Sequence, residues 1–200
     1  MSTPDKPVTE PVPPTIEFPK EGKETGVATL FLGNGKVGAM VQVWNTEETH
    51  SLGGGQVSES GRWAFSFSGA QSPGEHGIKA RQEVEGVMSG WSEERKYKVL
   101  LRPPINIPVV MEPEEEAEVD AVPVFRGDVT QPIGRVSIID LDNGLEIASA
   151  DVDSEMHWHT QPTLPLKEGR YRISAVHNIN GKLSDWGRVR TFTVITAGKG

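Results

Sequence analysis

The chain repeats itself at a spacing of 95 residues, and this repeat limits the possible folds more than any other sequence feature. At this spacing Trp63 aligns with Trp158, and Trp91 aligns with Trp186. The alignment pairs further identical residues: Val41/Val136, Val57/Val152, Gly74/Gly169, Ile78/Ile173, Ala80/Ala175, Gly86/Gly181, Ser89/Ser184, Arg95/Arg190 and Val99/Val194. Repetition on the scale of a whole domain predicts two copies of one folding unit in tandem.

The repeat also predicts the domain limits. We expect a tail at residues 1–12, a first domain at 13–101 and a second domain at 105–196. The tail is polar and rich in proline, a composition that is typical of disordered segments. The short linker at 102–104 contains the adjacent residues Pro103 and Pro104, which make it stiff.

The composition argues against several classes of protein. The 200 residues include no cysteine, which excludes disulfide frameworks, cysteine-ligated metals and thiol catalysis. A net charge of −8 argues against a nucleic-acid partner. No apolar run reaches the roughly 20 residues that cross a bilayer, so we expect no membrane span. The first residues also lack the apolar core of a signal peptide.

Sequence motifs for catalysis are absent. The chain has no Gly-x-Ser-x-Gly elbow, no phosphate-binding loop and no His-Glu-x-x-His pair. No pattern pairs two carboxylates in the way that glycoside hydrolysis requires. We therefore expect a protein that is not an enzyme, with no catalytic residues and no cofactor.

Apolar residues alternate with polar ones in both units, which predicts strands and no helix. Val41 and Val43 share one strand face. In the next strand, Trp63, Phe65 and Phe67 alternate with Arg62, Ala64 and Ser66. Glycine- and asparagine-rich turns separate these runs: Gly33-Asn34-Gly35, Gly53-Gly54-Gly55, Asp142-Asn143-Gly144 and Asn180-Gly181. Six or seven strands per unit with such turns predict an all-β protein made of two antiparallel β-sandwiches.

The four paired tryptophans are the expected structural core. Trp63 and Trp158 lie in the middle of strands with inward parity, and each buried indole removes roughly 150–250 Å² from water. Trp91 and Trp186 follow a glycine turn in the pattern Gly-x-x-Ser-x-Trp. We expect these two to pack over a sheet edge, with a recognition surface as the alternative.

Both units carry a longer shared pattern. In the first unit it reads Phe31-x-Gly33, Gly38-Ala39-x-Val41-x-Val43, Gly61-x-Trp63, Pro73-Gly74-x-x-x-Ile78-x-Ala80, Gly86-x-x-Ser89-x-Trp91-Ser92 and Tyr97-x-Val99. The second unit departs from it, because Arg135 replaces the alanine and Met156-His157-Trp158 replaces the Gly-x-Trp turn. The pattern resembles the bacterial immunoglobulin-like repeat, which overlaps in form with fibronectin type III domains and occurs in strings in surface and secreted proteins.

The resemblance implies a structural spacer, adhesion or interaction module of a bacterial surface or secreted protein, without an active site. The implied partners are a protein or glycan surface, or flanking domains of a larger chain. The implied location is extracellular or at the cell surface. Two alternatives stay open: a carbohydrate-binding accessory module, and an immunoglobulin-like decoration protein of a phage or contractile-tail particle, located in a virion or the cytoplasm.

Trp44 is the candidate ligand-binding residue. Its parity opposes that of Val41 and Val43, so we expect it to face solvent or a neighbouring module. An exposed indole can stack on a sugar, with Gln42 on the same face and Asn45 in the following turn supplying hydrogen bonds. The competing expectation is that Trp44 packs against the second unit or the linker.

Two groups of residues have the chemistry of metal ligands, but we predict no metal site. His157, His159 and Glu155 share one face of a strand. Their counterparts in the first unit are not ligands, which favours solvated histidines. The acidic group consists of Asp140, Asp142, Asn143 and Glu146, and a hairpin turn explains it without calcium.

Overall fold

The structure is a computed structural model that describes residues 9–195, and its regular elements in that range are strands. The strands of the first unit are β1 (Thr15–Phe18), β2 (Lys23–Gly26), β3 (Leu30–Asn34), β4 (Met40–Asn45), β5 (Ser51–Gln56), β6 (Arg62–Ser66), β7 (Gly74–Val84), β8 (Val87–Met88) and β9 (Arg95–Leu100). Those of the second are β10 (Val109–Glu112), β11 (Ala117–Val119), β12 (Phe125–Asp128), β13 (Arg135–Asp140), β14 (Glu146–Asp151), β15 (His157–Thr160), β16 (Gly169–Ile179), β17 (Lys182–Leu183) and β18 (Arg190–Val194). The prediction of an all-β chain is confirmed.

Each unit is a sandwich of a smaller and a larger sheet. In the first unit the sheet β1-β3-β6 faces the sheet β2-β9-β7-β4-β5, with β8 paired to β7. The second unit repeats this order as β10-β12-β15 and β11-β18-β16-β13-β14, with β17 paired to β16. The pairs β2–β9 and β11–β18 are parallel, and the remaining pairs are antiparallel. The predicted fold, two tandem immunoglobulin-like sandwiches, is confirmed.

The mid-strand tryptophans lie in the two cores. Trp63 on β6 is 0% exposed and Trp158 on β15 is 1% exposed. Each indole packs where a glycine of the adjacent strand, Gly33 or Gly127, is its register partner. A Cβ atom at these glycines would approach the indole to 2.6 Å and 2.7 Å, so the missing side chain makes room for the ring.

A third apolar cluster lies between the two units. Leu30, Leu32 and Ala64 on the outer face of the sheet β1-β3-β6 are buried against Leu141 of the second unit. Three partly buried side chains pack against this cluster: Phe18, Trp186 and Val189. We call these seven residues the inter-unit seam. Strand β3 is therefore buried on both faces, with Phe31 in the sandwich core and the two leucines in the seam.

The interpretation of Trp91 and Trp186 as core residues needs correction. They occupy equivalent backbone positions, since the amides that follow them, of Ser92 and Gly187, donate to the equivalent carbonyls of Ala80 and Ala175. However, both indoles are only half-buried and lie outside the two sandwich cores. Trp186 packs in the inter-unit seam.

The predicted tail falls mostly outside the described residues. Its last residue, Val12, accepts a 2.6 Å hydrogen bond from Gln82 Nε2 through its carbonyl. The domain limits at 13–101 and 105–196 stay predictions; the strands of the two units run from Thr15 to Leu100 and from Val109 to Val194. Among the described residues, no helix has the length and apolarity to cross a membrane.

Candidate functional site: the contact between the units

A partly buried ion pair of the second unit binds the backbone of the first unit beside the seam. Arg172 on β16 pairs with Asp142, and their side chains are only 12% and 21% exposed. Arg172 Nη2 donates to the carbonyl of Arg62 at 2.9 Å, and Nη1 donates to the carbonyl of Gln56 at 3.1 Å. Ser58 Oγ donates to Asp142 Oδ1 at 2.7 Å. Charge-assisted bonds with this many fixed partners orient the two units.

The turn after β13 places Asp142 in this position. The amide of Asp142 donates to Asp140 Oδ1 at 2.9 Å, and Asn143 Nδ2 donates to Asp140 Oδ2 at 2.7 Å. Burial raises the pKa of Asp140, while the hydrogen bond from the amide of Asp142 opposes that shift. Gly144 completes the turn with a φ of 74°. The predicted hairpin turn is present. The Asp140 side chain stabilises the turn, and the Asp142 side chain accepts a hydrogen bond from Ser58 of the first unit.

A second group of polar contacts lies where the chain approaches β18. Arg188 donates to the carbonyls of Phe67 and Gly69, both at 2.7 Å. The amide of Val189 donates to Ser66 Oγ at 2.8 Å. Asp185 accepts a 2.6 Å bond from the amide of Gly26 and a bond from Thr25 Oγ1.

The contact therefore combines an apolar centre with polar bonds on its rim. Much of the second unit's contribution comes from Leu141-Asp142 and from the segment between Asp185 and Val189. Sequence reasoning missed this site. The available signal was the run Leu30-Phe31-Leu32, because a strand buried on one face only should alternate.

Trp44 lies beside Trp91 of its own unit. The two ring centroids are 6.4 Å apart at an interplanar angle of 70°. The guanidinium carbon of Arg81 lies 4.6 Å from the Trp91 centroid and 5.7 Å from the Trp44 centroid, and Lys79 Nζ lies 4.9 Å from the Trp91 centroid. The expectation that Trp44 packs against the second unit or the linker is wrong, because its ring packs within the first unit.

The predicted hydrogen-bonding neighbours of Trp44 have partners of their own. Gln42 Oε1 accepts a 3.2 Å bond from Arg81 Nε. Asn45 Oδ1 accepts from the amides of Thr49 and His50 at 3.0 and 2.7 Å. The Asn45 side chain thus stabilises the turn between β4 and β5, and it needs to release these amides before it can bind a ligand.

The two histidines beside Trp158 are exposed on the outer face of the sheet β10-β12-β15. His157 Nδ1 lies 2.7 Å from Asp128 Oδ1, and this hydrogen bond raises the pKa of His157. Across residues 9–195, no group of three or more histidine, aspartate or glutamate side chains is placed to hold a metal ion.

No protein-family model and no curated protein matches the chain. It is similar to solved structures at low identity. These are the BSP domain of a biofilm-associated protein (17% identity, TM-score 0.36), fibronectin(III)-like modules of Clostridium thermocellum CbhA (14%, 0.32) and the FN1–FN3 domains of chicken CNTN1 (12%, 0.31).

The alignments cover 92%, 92% and 93% of this chain, and 30%, 93% and 66% of those chains. The chain thus spans less than a third of the biofilm-associated structure's length. The organisation as tandem immunoglobulin-like or fibronectin type III-like units is confirmed by the strand order of the chain itself.

Proposed function

We propose that the chain is a non-catalytic structural module that holds two β-sandwiches at a fixed mutual orientation, as a spacer within a bacterial surface or secreted protein. The inter-unit seam carries this proposal. Leu141 is 2% exposed and Leu30 is 0% exposed, and both lie at the contact between the units. If only a flexible linker joined the units, these two side chains would be exposed to water. An apolar centre with bonded polar groups around it favours one arrangement of the units over the many that a hinge permits.

The direction of the polar bonds supports the same function. Arg172 and Arg188 donate to four backbone carbonyls of the first unit, those of Gln56, Arg62, Phe67 and Gly69. Backbone acceptors in strand and turn segments keep fixed positions, so these bonds disfavour rotation of one sandwich over the other. A spacer that keeps its length and direction needs this property.

Nuclear magnetic relaxation tests the proposal. We expect the backbone ¹⁵N relaxation of the strands in both units to give one common tumbling time, because the units rotate as a single body. Replacing Leu141 with lysine should give each unit its own, shorter tumbling time, since a charge enters the seam. The matched control is Thr46→Lys, at the equivalent position of the first unit. Two independent tumbling times in the parent protein would contradict a rigid spacer.

We also propose carbohydrate binding at Trp44 as a second function. The supporting observation is that Trp44 is only half-buried and shares its strand face with Gln42, beside the cationic side chain of Arg81. A glycan panel titrated against the parent and Trp44→Ala, with tryptophan fluorescence as the signal, tests it. Binding by the parent that Trp44→Ala loses supports this site. No binding, or equal binding by the variant, leaves only the spacer function.

A further inference from the structure

The outer face of the larger sheet of the first unit contains a cation held between two indoles. Arg81 on β7 lies near both Trp44 on β4 and Trp91, with its guanidinium carbon 5.7 Å and 4.6 Å from the two ring centroids. Gln42 is the register partner of Arg81 on β4, and its Oε1 accepts a 3.2 Å bond from Arg81 Nε. We call these four residues the tryptophan–arginine cluster. The contacts hold the guanidinium in place before any ligand binds.

The charge of Arg81 has no counterion in this cluster. In the described part of the chain its contacts are Gln42 and the two indoles, and no carboxylate forms an ion pair with it. The neighbouring carboxylate, that of Glu48, pairs with Lys79, whose side chain is only 16% exposed. The hydrogen bond from Lys79 is the main cause of the lowered pKa of Glu48, and the charge of Arg81 acts in the same direction. Since Lys79 and Glu48 neutralise each other, one positive charge remains, on Arg81.

The remaining nitrogen atoms of Arg81 suit a carboxylate. Its Nε is bonded to Gln42, while Nη1 and Nη2 have no hydrogen-bond partner among residues 9–195. The N–H groups of these two nitrogens form a planar fork that matches the two oxygens of a carboxylate. Trp44 is only half-buried, so part of its indole beside Arg81 is open to the apolar face of a sugar ring. A uronic acid offers both groups, because it carries a carboxylate on a sugar ring.

The fold does not require this cluster. At the three strand positions of the cluster, the second unit has uncharged side chains: Ser137, Ile139 and Val176. Trp186, the equivalent of Trp91, packs in the inter-unit seam instead. The second unit builds the same sheet with these residues, so the cluster is a surface feature of the first unit alone.

We propose that the tryptophan–arginine cluster binds an acidic glycan, with the carboxylate of a uronic acid on Nη1 and Nη2 of Arg81 and the sugar ring against the open part of the Trp44 indole. This inference rests on the carbohydrate binding proposed above and adds the class of sugar. The whole chain has a net charge of −8, so it does not attract polyanions in general. Binding of an acidic glycan therefore reports on this local site.

Isothermal titration calorimetry of the complete protein with paired glycans tests the inference. The panel contains short oligomers of galacturonic, glucuronic, mannuronic and guluronic acid, and the methyl ester of each, which keeps the sugar ring and removes the charge. We expect at least one acid to bind about tenfold or more tightly than its ester, because only the acid accepts two charge-assisted bonds. Equal affinity for acids and esters overturns the inference but leaves carbohydrate binding at Trp44. If no oligomer binds, the inference is overturned, and the glycan panel described above then decides on carbohydrate binding alone.

Variants of Arg81 locate the carboxylate. Arg81→Gln should remove the preference for the acid over its ester, and Arg81→Lys, which keeps the charge but not the planar fork, should recover part of it. Comparing acid with ester in each variant separates the loss of charge from any change in the position of Trp44. The matched control is Arg135→Gln, an exposed arginine on the equivalent sheet of the second unit, and it should bind like the parent. Melting curves check that all variants fold. A preference for the acid that survives Arg81→Gln overturns the site.

Discussion

At the scale of single residues, the two core tryptophans differ in one hydrogen bond. Trp63 Nε1 donates to the carbonyl of Asn34 at 3.2 Å. Trp158 Nε1 is buried and has no hydrogen-bond partner among the described residues. The packing is otherwise alike, with a glycine beside each indole. The two units can therefore be compared to measure what a hydrogen bond to the buried indole nitrogen contributes to stability.

We predict that Trp63→Phe destabilises its unit more than Trp158→Phe does, by about 1 kcal/mol, because only the first change removes a hydrogen bond and leaves a carbonyl without its donor. Trp158→Ala should cost about 3–5 kcal/mol, as expected for truncating a large buried aromatic side chain. Urea unfolding measures the change in the free energy of unfolding for each variant, and the circular dichroism of the strands checks that each variant folds. Equal costs for the two phenylalanine variants would show that the bond to Asn34 contributes nothing.

The pair His157–Asp128 predicts a pH effect on the second unit. The hydrogen bond that His157 donates to Asp128 raises the pKa of His157, and the charges of Asp128, Asp153 and Glu155 act in the same direction. The charged pair therefore stabilises the unit at pH values below the usual histidine range, and this stabilisation is lost as the pH rises through the raised pKa. Asp128→Asn should lower the pKa of His157 and reduce this pH dependence.

Nuclear magnetic resonance of the imidazole protons over the pH range measures the pKa of His157 in the parent and in Asp128→Asn. An identical pKa of His157 in both proteins would show that Asp128 does not raise it.

At the scale of elements, strand alternation predicted the sandwich cores but not the seam. The inward side chains Val41, Val43, Trp63 and Ile78 follow from period-two parity, which any solvated sheet imposes. Ala64 and Leu32 lie on the opposite face and are buried because the second unit covers them. Parity describes one sheet and its core, and it contains no information on where a neighbouring unit sits.

The binding candidate shows the same limit. Sequence parity placed Trp44 on the face away from the core, together with Gln42, and the structure brings both next to Arg81. Sequence parity could not show that Trp44 contacts Trp91, which lies 47 positions away in the sequence. That contact depends on the path of the chain after β8. Nor could it show that the Asn45 side chain is engaged by the turn.

The glycine that pairs with each core tryptophan leads to a prediction about strand packing. A Cβ on Gly127 would overlap the carbonyl oxygen of Val109 on β10, at 1.8 Å, and would approach the Trp158 indole to 2.7 Å. We predict that Gly127→Ala destabilises the second unit by about 1–3 kcal/mol, the usual cost of overpacking a core. The exposed Glu118→Ala on β11 is the control. Calorimetry that shows the two variants melting together would contradict this account of the glycine.

At the scale of the whole molecule, the seam forms an apolar contact between two similar units. Their similarity ends at this contact, because Leu141, Arg172 and Val189 of the second unit face the first, while the equivalent residues of the first unit are Thr46, Gly77 and Glu94. The duplicated units have therefore taken different surface roles on the same strand framework. This division of roles is the basis of the proposed spacer function.

We predict that Trp186→Ala weakens the contact between the units while Trp91→Ala does not. Trp186 packs against Phe18 across the seam, with ring centroids 6.4 Å apart, whereas Trp91 packs on Trp44 of its own unit. Limited proteolysis with trypsin should cut Trp186→Ala after Arg188 faster than the parent, because separation of the units releases the Arg188 guanidinium from the carbonyls of Phe67 and Gly69. Equal cleavage of Trp186→Ala and Trp91→Ala would show that the Trp186 indole does not hold the units together.

The distance between the two units is the most direct test of the central claim. The chain contains no cysteine, so a spin label at Glu83→Cys on β7 and another at Glu118→Cys on β11 report on one defined pair of exposed sites. Double electron–electron resonance should give a single narrow distance distribution for this pair, and Leu141→Lys should broaden it. A broad distribution in the otherwise unchanged protein would contradict a fixed arrangement of the two sandwiches.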